Sequence, residues 1–355
     1  MRRERSWWGW GYEDAHLDGA GLEALGAELH TRFGGDFTAR DPARPQDVAV
    51  PPPTVEPPDA LVDLVVDDPV ERLRHAHGQA FRDVVRAFAG EVPRVPDLVA
   101  YPRTPEGVAA VLEWCTDAGI ACVAFGGGTS VVGGVNPPDE ARAVLTLNLA
   151  RLDRVTEVDT TSLAAQVQAG ALGPSIDAQL HGHGLTLRHF PQSWEFSTLG
   201  GWIATRAGGH FATGPTHIDD LVEAVTAVTP SGTWASRRLP ASGAGPSPDR
   251  LLLGSEGTLG VITEAWVRVQ RRPIFRASAT VTFPDFLAGG GAVRALAQSG
   301  LQPANCRLLD PGEAALTGAS QDGALLVLGF ESADHPVEPW MDRALELAAD
   351  HGGTV

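Results

Sequence analysis

Apolar and polar positions change rhythm along this chain, and the changes mark its elements. Residues 21–33 carry apolar side chains at helical spacing and end at Gly34-Gly35, where glycine can take the left-handed cap conformation. A helix is predicted there. A second helical stripe, Leu73, Ala76, Phe81, Val84, Val85 and Phe88, predicts one helix over residues 70–88. From about residue 92 short apolar runs alternate with helical patterns. A strand at 98–101, a helix at 105–118 opened by Thr104 and Pro105 and closed by Gly119, and strands at 121–125 and 143–147 read as one βαβ-like lobe. A second lobe follows to about residue 269. Its predicted elements are a strand pair through Val155, Val158, Ala164 and Val167, a helix at 173–181, a helical turn and strand over 218–228, a turn at Pro230-Ser231-Gly232, and an alternating strand at 261–269. Beyond residue 274 come strands near 279–283 and 325–330 and helices near 286–298 and 339–350. The chain stops at residues 351–355, where another strand would begin, so this last domain reads as cut short.

The pattern gives an α+β fold class in three parts. These are an N-terminal helical accessory segment (1–91), a two-lobed domain (92–272, lobes about 92–150 and 151–272) and a partial α+β domain (273–355). A length of 355 residues is ample for such a division.

Charge and composition narrow the chemistry. The formal net charge is −17 and no basic run tracks a phosphate backbone, so nucleic acid is not an expected partner. The chain has no lysine, which removes Schiff-base chemistry and lysine-bearing phosphate loops. Cys115, Cys122 and Cys306 have no metal or disulfide spacing and read as buried thiols. The N-terminus, with Arg5 followed by Ser6-Trp7-Trp8-Gly9-Trp10, lacks a leader's apolar core, and no run of about 18 apolar residues exists to span a membrane. A cytoplasmic protein is expected.

Three glycine-rich segments carry the candidate chemistry. The first, Ala124, Phe125, Gly126, Gly127, Gly128, Thr129 and Ser130, follows a strand; backbone without Cβ atoms can turn successive N–H groups onto an anion, with the two hydroxyls as further donors. A merely tight turn is the alternative. It is not a dinucleotide fingerprint of Rossmann type, because the sixth position is Val131 and Pro137-Pro138 block a helix. The second segment, Pro191, Gln192, Ser193, Trp194, Glu195, Phe196 and Ser197, runs through Gly200-Gly201 to Ala204, Thr205, Arg206 and Ala207. It suits a backbone laid against a flat ring, and Gly200-Gly201 can open a short helix facing an anion. The third is Glu256, Gly257, Thr258, Leu259, Gly260, Val261 and Ile262. Gly254-Ser255-Glu256-Gly257 is no nucleophile elbow, and His75/His77 and His181/His183 lack a third metal ligand at a recognisable spacing.

Taken in order, these segments resemble the FAD-binding family of vanillyl-alcohol-oxidase type, in its alkyldihydroxyacetonephosphate synthase branch, over about residues 98–272. The resemblance implies a PCMH-type FAD-binding domain followed by a cap, with the first loop wrapping the FAD pyrophosphate and the second and third segments contacting the isoalloxazine and the rest of the cofactor. Arg307 matches an arginine that the family uses on a substrate phosphate or carboxylate, which implies a small anionic substrate. No histidine or cysteine stands at the usual tethering positions, so FAD is expected to be non-covalent. The run from His210 to His217 departs from the family's tyrosine-glycine pattern. The catalytic tyrosine and histidine cluster of the family fall outside this chain. The implied activity is acyl-for-alkyl exchange on a ketone phosphate through a flavin N5 adduct, as in ether-lipid chemistry. The alternatives are an FAD-linked oxidase or dehydrogenase of a 2-hydroxy acid such as D-lactate or glycolate, and a flavin-binding fragment without turnover. A homodimer stays open.

Overall fold

The computed structural model describes residues 3–210, 216–239, 243, 245–319 and 323–355. The chain falls into two compact units, Met1–Leu152 with Val228–Gly232, and Asp153–Ala227 with Thr233–Val355.

In the first unit, helix α1 (Gly19–Phe33) is opened by Asp18, whose carboxylate accepts from the Gly21 N–H at 2.8 Å, and closed by Gly34 at φ 67°. The single helix expected over residues 70–88 is two, α2 (Pro69–Leu73) and α3 (Phe81–Phe88), with residues 74–80 between them. The break has a specific cause. A Cβ on Gly78 would stand 2.3 Å from the Ser130 carbonyl oxygen, and the Gln79 N–H donates to that oxygen at 2.6 Å instead of to a helix carbonyl. A contact with a distant loop overrides the helical stripe.

Four strands form the sheet of this unit: β1 (Val65–Val66), β2 (Leu98–Ala100), β3 (Ala121–Phe125) and β4 (Val144–Asn148), in the order β1-β2-β4-β3. Strands β2 and β3 both run parallel to β4, and helix α4 (Pro105–Ala118) makes the crossover between them. Thr104 accepts from the Gly107 N–H, Pro105 fills the first turn and Gly119 closes the helix at φ 65°, as the sequence predicts. All residues of β2 and β4 are buried, the usual state of parallel strands. Strand β3 ends at Phe125 and delivers the chain directly into the first glycine loop. The carboxyl ends of parallel strands are where such sheets present loops to ligands.

Beyond Leu152 the chain forms β5 (Val155–Asp159), β6 (Ala164–Gln168), α5 (Gly173–His181), β7 (Leu185–Thr186), α6 (Leu199–Thr205), α7 (Ile218–Leu221), β8 (Val222–Thr229), β9 (Gly232–Ala235), α8 (Asp249–Leu252) and β10 (Val261–Arg268). The sheet order is β5-β6-β10-β8-β9. Along β10, Val261, Thr263, Ala265 and Val267 are buried, while Trp266 on the other face lies under the Arg238 guanidinium at 4.0 Å. The two-residue β11 (Gln270–Arg271) pairs with β7.

The last part comprises β12 (Phe275–Phe283), α9 (Phe286–Gln298), β13 (Asn305–Leu309), α10 (Pro311–Leu316), β14 (Ala324–Ser332) and α11 (Glu338–Ala349), with an antiparallel sheet ordered β12-β14-β13. One face of that sheet forms a core with α9 and α11 through Val281, Phe283, Leu326, Leu328, Phe330 and Leu296. Strand β13 and helix α10 were not among the predicted elements. On the free edge of β12, Thr282 and Thr354 exchange backbone hydrogen bonds of 2.7 and 2.9 Å, a single bridge where the sequence predicts a further strand. Among the described residues no helix is long and apolar enough to cross a membrane.

Candidate cofactor site

The first glycine loop is shaped by sterics and then left open electrostatically. Gly128 has φ 66°, and a Cβ there would stand 2.5 Å from the Phe125 ring, so both the backbone conformation and the space require glycine. Among the described residues, no amide N–H from Gly126 to Val131 donates to another group of the chain. Gly128 is buried, Gly126, Gly127, Thr129 and Ser130 are half-buried and Val131 is exposed, so these six open amides take their acceptors from outside the chain, from solvent or from a ligand. The Ser130 hydroxyl oxygen is turned back into its own loop, accepting from the Val132 and Gly134 N–H groups at 3.4 and 3.0 Å. That bracing leaves the Ser130 amide free. The residues present therefore fit a diphosphate: a run of open donors, and glycine where the backbone turns against the Phe125 ring.

Beneath the loop, the His75 ring packs 4.5 Å from Phe125. Its Nδ1 meets the Glu71 carbonyl at 2.8 Å and its Nε2 meets Asn148 Nδ2 at 2.7 Å, while burial holds its pKa below the ordinary value. Both ring nitrogens are thus committed to packing and not to a metal.

In the second unit the structure joins the second and third predicted segments. Residues 191–197 form a tight turn, with Phe196 and Ser197 N–H groups donating to the Ser193 carbonyl at 2.8 and 2.9 Å. Trp194 lies over Gly173, where a Cβ would stand 2.3 Å from the indole. The Ser197 hydroxyl donates to the Ser193 carbonyl and accepts from Trp202 Nε1 at 2.7 Å, locking the turn to α6. At the other end of α6, the Glu256 N–H donates to the Ala204 carbonyl at 2.9 Å and the Gly254 N–H to the Ile203 carbonyl at 3.1 Å, which lays the third segment along residues 204–207. Arg206 takes the left-handed conformation (φ 53°), as does Glu256 (φ 50°). The Arg206 guanidinium and that of Arg250 share one oxygen of the buried Asp219, at 2.6 and 2.7 Å.

One expectation is corrected here. The start of α6 is not an open anion site: the Leu199 N–H donates to the Ala171 carbonyl at 3.0 Å, the Gly200 N–H to the Ala169 carbonyl at 2.8 Å, and the Gly201 N–H to the Thr198 hydroxyl at 3.3 Å. A Cβ on Gly200 would stand 2.8 Å from that of Ala169. This glycine pair serves close packing, and its amides are consumed. Of the run from His210 to His217, residues 211–215 lie outside the described residues; its flanks meet in a bridge between Gly208 and His217.

Arg307 lies on β13, half exposed, in an ion pair of 2.8 Å with Glu313. The strand register sets it opposite Val327, on the sheet face that also carries Glu331, which pairs with Arg188 at 3.3 Å and Arg276 at 3.5 Å. Arg188 has φ 54° and immediately precedes a residue that sequence reasoning missed. His189 is 2% exposed, neither of its ring nitrogens has a hydrogen-bond partner of normal geometry, and its ring lies 5.1 Å from that of Trp202. Burial lowers its pKa to about 4, against a smaller opposing effect of the Thr216 backbone. Its place two residues before Pro191 was the available signal.

Comparison with known proteins agrees with this architecture. Residues 96–236 match the FAD binding domain family, and residues 272–355 match the C-terminal domain of FAD linked oxidases. The chain is 35% identical over 273 residues to the alkyldihydroxyacetonephosphate synthase of Dictyostelium discoideum, covering 77% of this chain and 45% of that protein. It is 32% identical over 335 residues to the synthase of Caenorhabditis elegans, covering 86% and 55%. A mitochondrial D-lactate dehydrogenase (cytochrome) of Arabidopsis thaliana is 29% identical over 239 residues, covering 67% and 40%. A solved structure of alkyldihydroxyacetonephosphate synthase superposes with a TM-score of 0.89 at 27% identity, covering 98% of this chain and 73% of that one. The chain spans about half the length of the curated relatives it matches. It adopts the PCMH-type FAD-binding fold and carries an FAD binding domain followed by the C-terminal domain of FAD linked oxidases, with FAD as the cofactor of the first.

Proposed function

We propose that this chain binds FAD non-covalently and serves an alkyldihydroxyacetonephosphate synthase-like exchange, in which the acyloxy group of an acyl ketone phosphate leaves as a fatty acid and is replaced by the alkoxy group of a long-chain alcohol. The observation that carries the reading is the run of open amides from Gly126 to Val131, in a chain whose relatives at 32% and 35% identity bear that name. Residues 124–130 take the pyrophosphate through backbone N–H groups. Residues 191–197, 204–207 and 256–262 take the remainder of the cofactor. When bound, FAD supplies the redox and nucleophilic chemistry of its ring system; the protein contributes binding, orientation and electrostatics. Arg307, a planar fork on a polar sheet face, holds the substrate's anionic group once its pairing with Glu313 is exchanged.

The test is a two-substrate assay. Purified protein loaded with FAD is given an acyl ketone phosphate with a long-chain alcohol, and separately D-lactate with an artificial electron acceptor. Ether-bond formation without acceptor reduction supports the proposal. Acceptor reduction with D-lactate, the reading favoured by the more distant D-lactate dehydrogenase relatives, overturns it.

A further inference from the structure

The N-terminal tryptophan-rich segment, expected to be an accessory, reaches the glycine loop. Arg5 Nη1 donates to the Gly127 carbonyl oxygen at 2.7 Å, across 122 positions of sequence. The segment is built to deliver that side chain. Residues 4–13 fold back on themselves, with the Ser6 N–H on the Gly11 carbonyl at 3.1 Å and the Glu13 N–H on the Glu4 carbonyl at 3.0 Å. Trp7, 5% exposed, anchors the turn in a core with Leu73, Ala76 and Ala87, and its Nε1 donates to the Ala43 carbonyl at 3.1 Å. Trp8 meets the Phe88 ring edge-on at 5.1 Å, and Glu4 pairs with Arg74.

The contact has a directional consequence. In a trans peptide the carbonyl of one residue and the N–H of the next point in opposite directions, and among the described residues there are no cis peptide bonds. Fixing the Gly127 carbonyl on Arg5 therefore fixes the Gly128 N–H pointing away from Arg5, on the side of the open amides. The same logic holds at the far end of the loop, where the Gln79 N–H takes the Ser130 carbonyl and so sets the Val131 N–H. In a chain without lysine, the guanidinium also adds a full positive charge behind a nest otherwise made of partial charges.

We infer that Arg5 is a positioning residue of the FAD site: it orients the Gly128 amide toward the diphosphate and raises the positive potential of the loop. The inference rests on the FAD reading above. Equilibrium titration of the full-length apoprotein with FAD, followed by flavin fluorescence at several salt concentrations, tests it in wild type, Arg5→Gln and Arg5→Lys. The expected result is an affinity about tenfold weaker in Arg5→Gln, the size of one charge-assisted hydrogen bond, with a flatter salt dependence and partial recovery in Arg5→Lys. The thermal midpoint of the apoprotein stays at the wild-type value. Wild-type uptake of FAD with unchanged affinity in Arg5→Gln overturns the assignment alone, as does a weakened affinity that tracks a lowered apoprotein midpoint and is not recovered by lysine. A wild-type protein that takes up no FAD overturns the assignment and the cofactor reading together.

Discussion

Two glycine-rich stretches of this chain look alike on paper and do opposite things. Around Gly128 the amides from Gly126 to Val131 have no internal acceptor, and glycine is required by a left-handed φ beside the Phe125 ring. Around Gly200-Gly201 every leading amide is taken by Ala171, Ala169 or Thr198, and glycine is required because Ala169 lies in the way of a Cβ. The first stretch leaves its N–H groups without an acceptor inside the chain; the second is a packing joint between α6 and the end of β6. Glycine content reports close approach in both cases, and only the destination of the N–H groups separates ligand from protein as the approaching body.

The comparison can be broken most forcefully at Gly128. Gly128→Val should lower FAD affinity by at least about 100-fold, because the side chain meets the Phe125 ring and forces φ out of the left-handed region. Titration of a variant whose circular dichroism matches wild type checks this; full affinity would mean that the loop is only a turn.

The second stretch should respond to acid instead of to cofactor. His189 packs against Trp202 of α6 and has a folded pKa of about 4 against an ordinary 6.5. Below the ordinary value the unfolded chain binds a proton that the folded chain refuses, so this residue's stabilising effect is complete above pH 6.5. It is lost as pH falls towards 4, by about 3 kcal/mol in all. Denaturant midpoints at neutral and acid pH should converge more in His189→Phe than in wild type; an equal acid sensitivity in both would place the titrating group elsewhere.

Gly200→Ala sharpens the contrast from the packing side. Overfilling the contact with Ala169 should cost about 1–3 kcal/mol of stability while FAD affinity per folded molecule changes less than about threefold. Lost FAD with stability intact would restore the start of α6 as an anion site. The smallest effect is expected from Ser130→Ala. It removes an acceptor for two amides of the loop's far arm and should weaken FAD about threefold, near 0.7 kcal/mol, read in the same titration.

Local signals were legible in the sequence where they act locally. The helices expected at 105–118, 173–181 and 286–298 appear with those bounds because caps and proline or glycine punctuation mark both ends or one end of each. What was illegible depends on partners far away in sequence. The helical stripe over residues 70–88 conceals the break around Gly78, where the Gln79 N–H donates to the Ser130 carbonyl instead of to a helix carbonyl. Strand β13 is short, half-buried and completed only by its register with β14, so its five residues gave no periodicity to read. Of the candidate site, the glycine segments were visible. The direction of their amides, the pairing of Arg307 with Glu313 and the arrival of Arg5 at Gly127 were not, since each is a statement about three-dimensional neighbours.

The most direct measurement is the visible absorption spectrum of the purified protein after incubation with excess FAD and removal of the free cofactor. A retained flavin spectrum at one FAD per chain, with the flavin released on acid precipitation, is the predicted result. A colourless protein would contradict the claim that the open amides of the first loop exist to hold a dinucleotide's diphosphate.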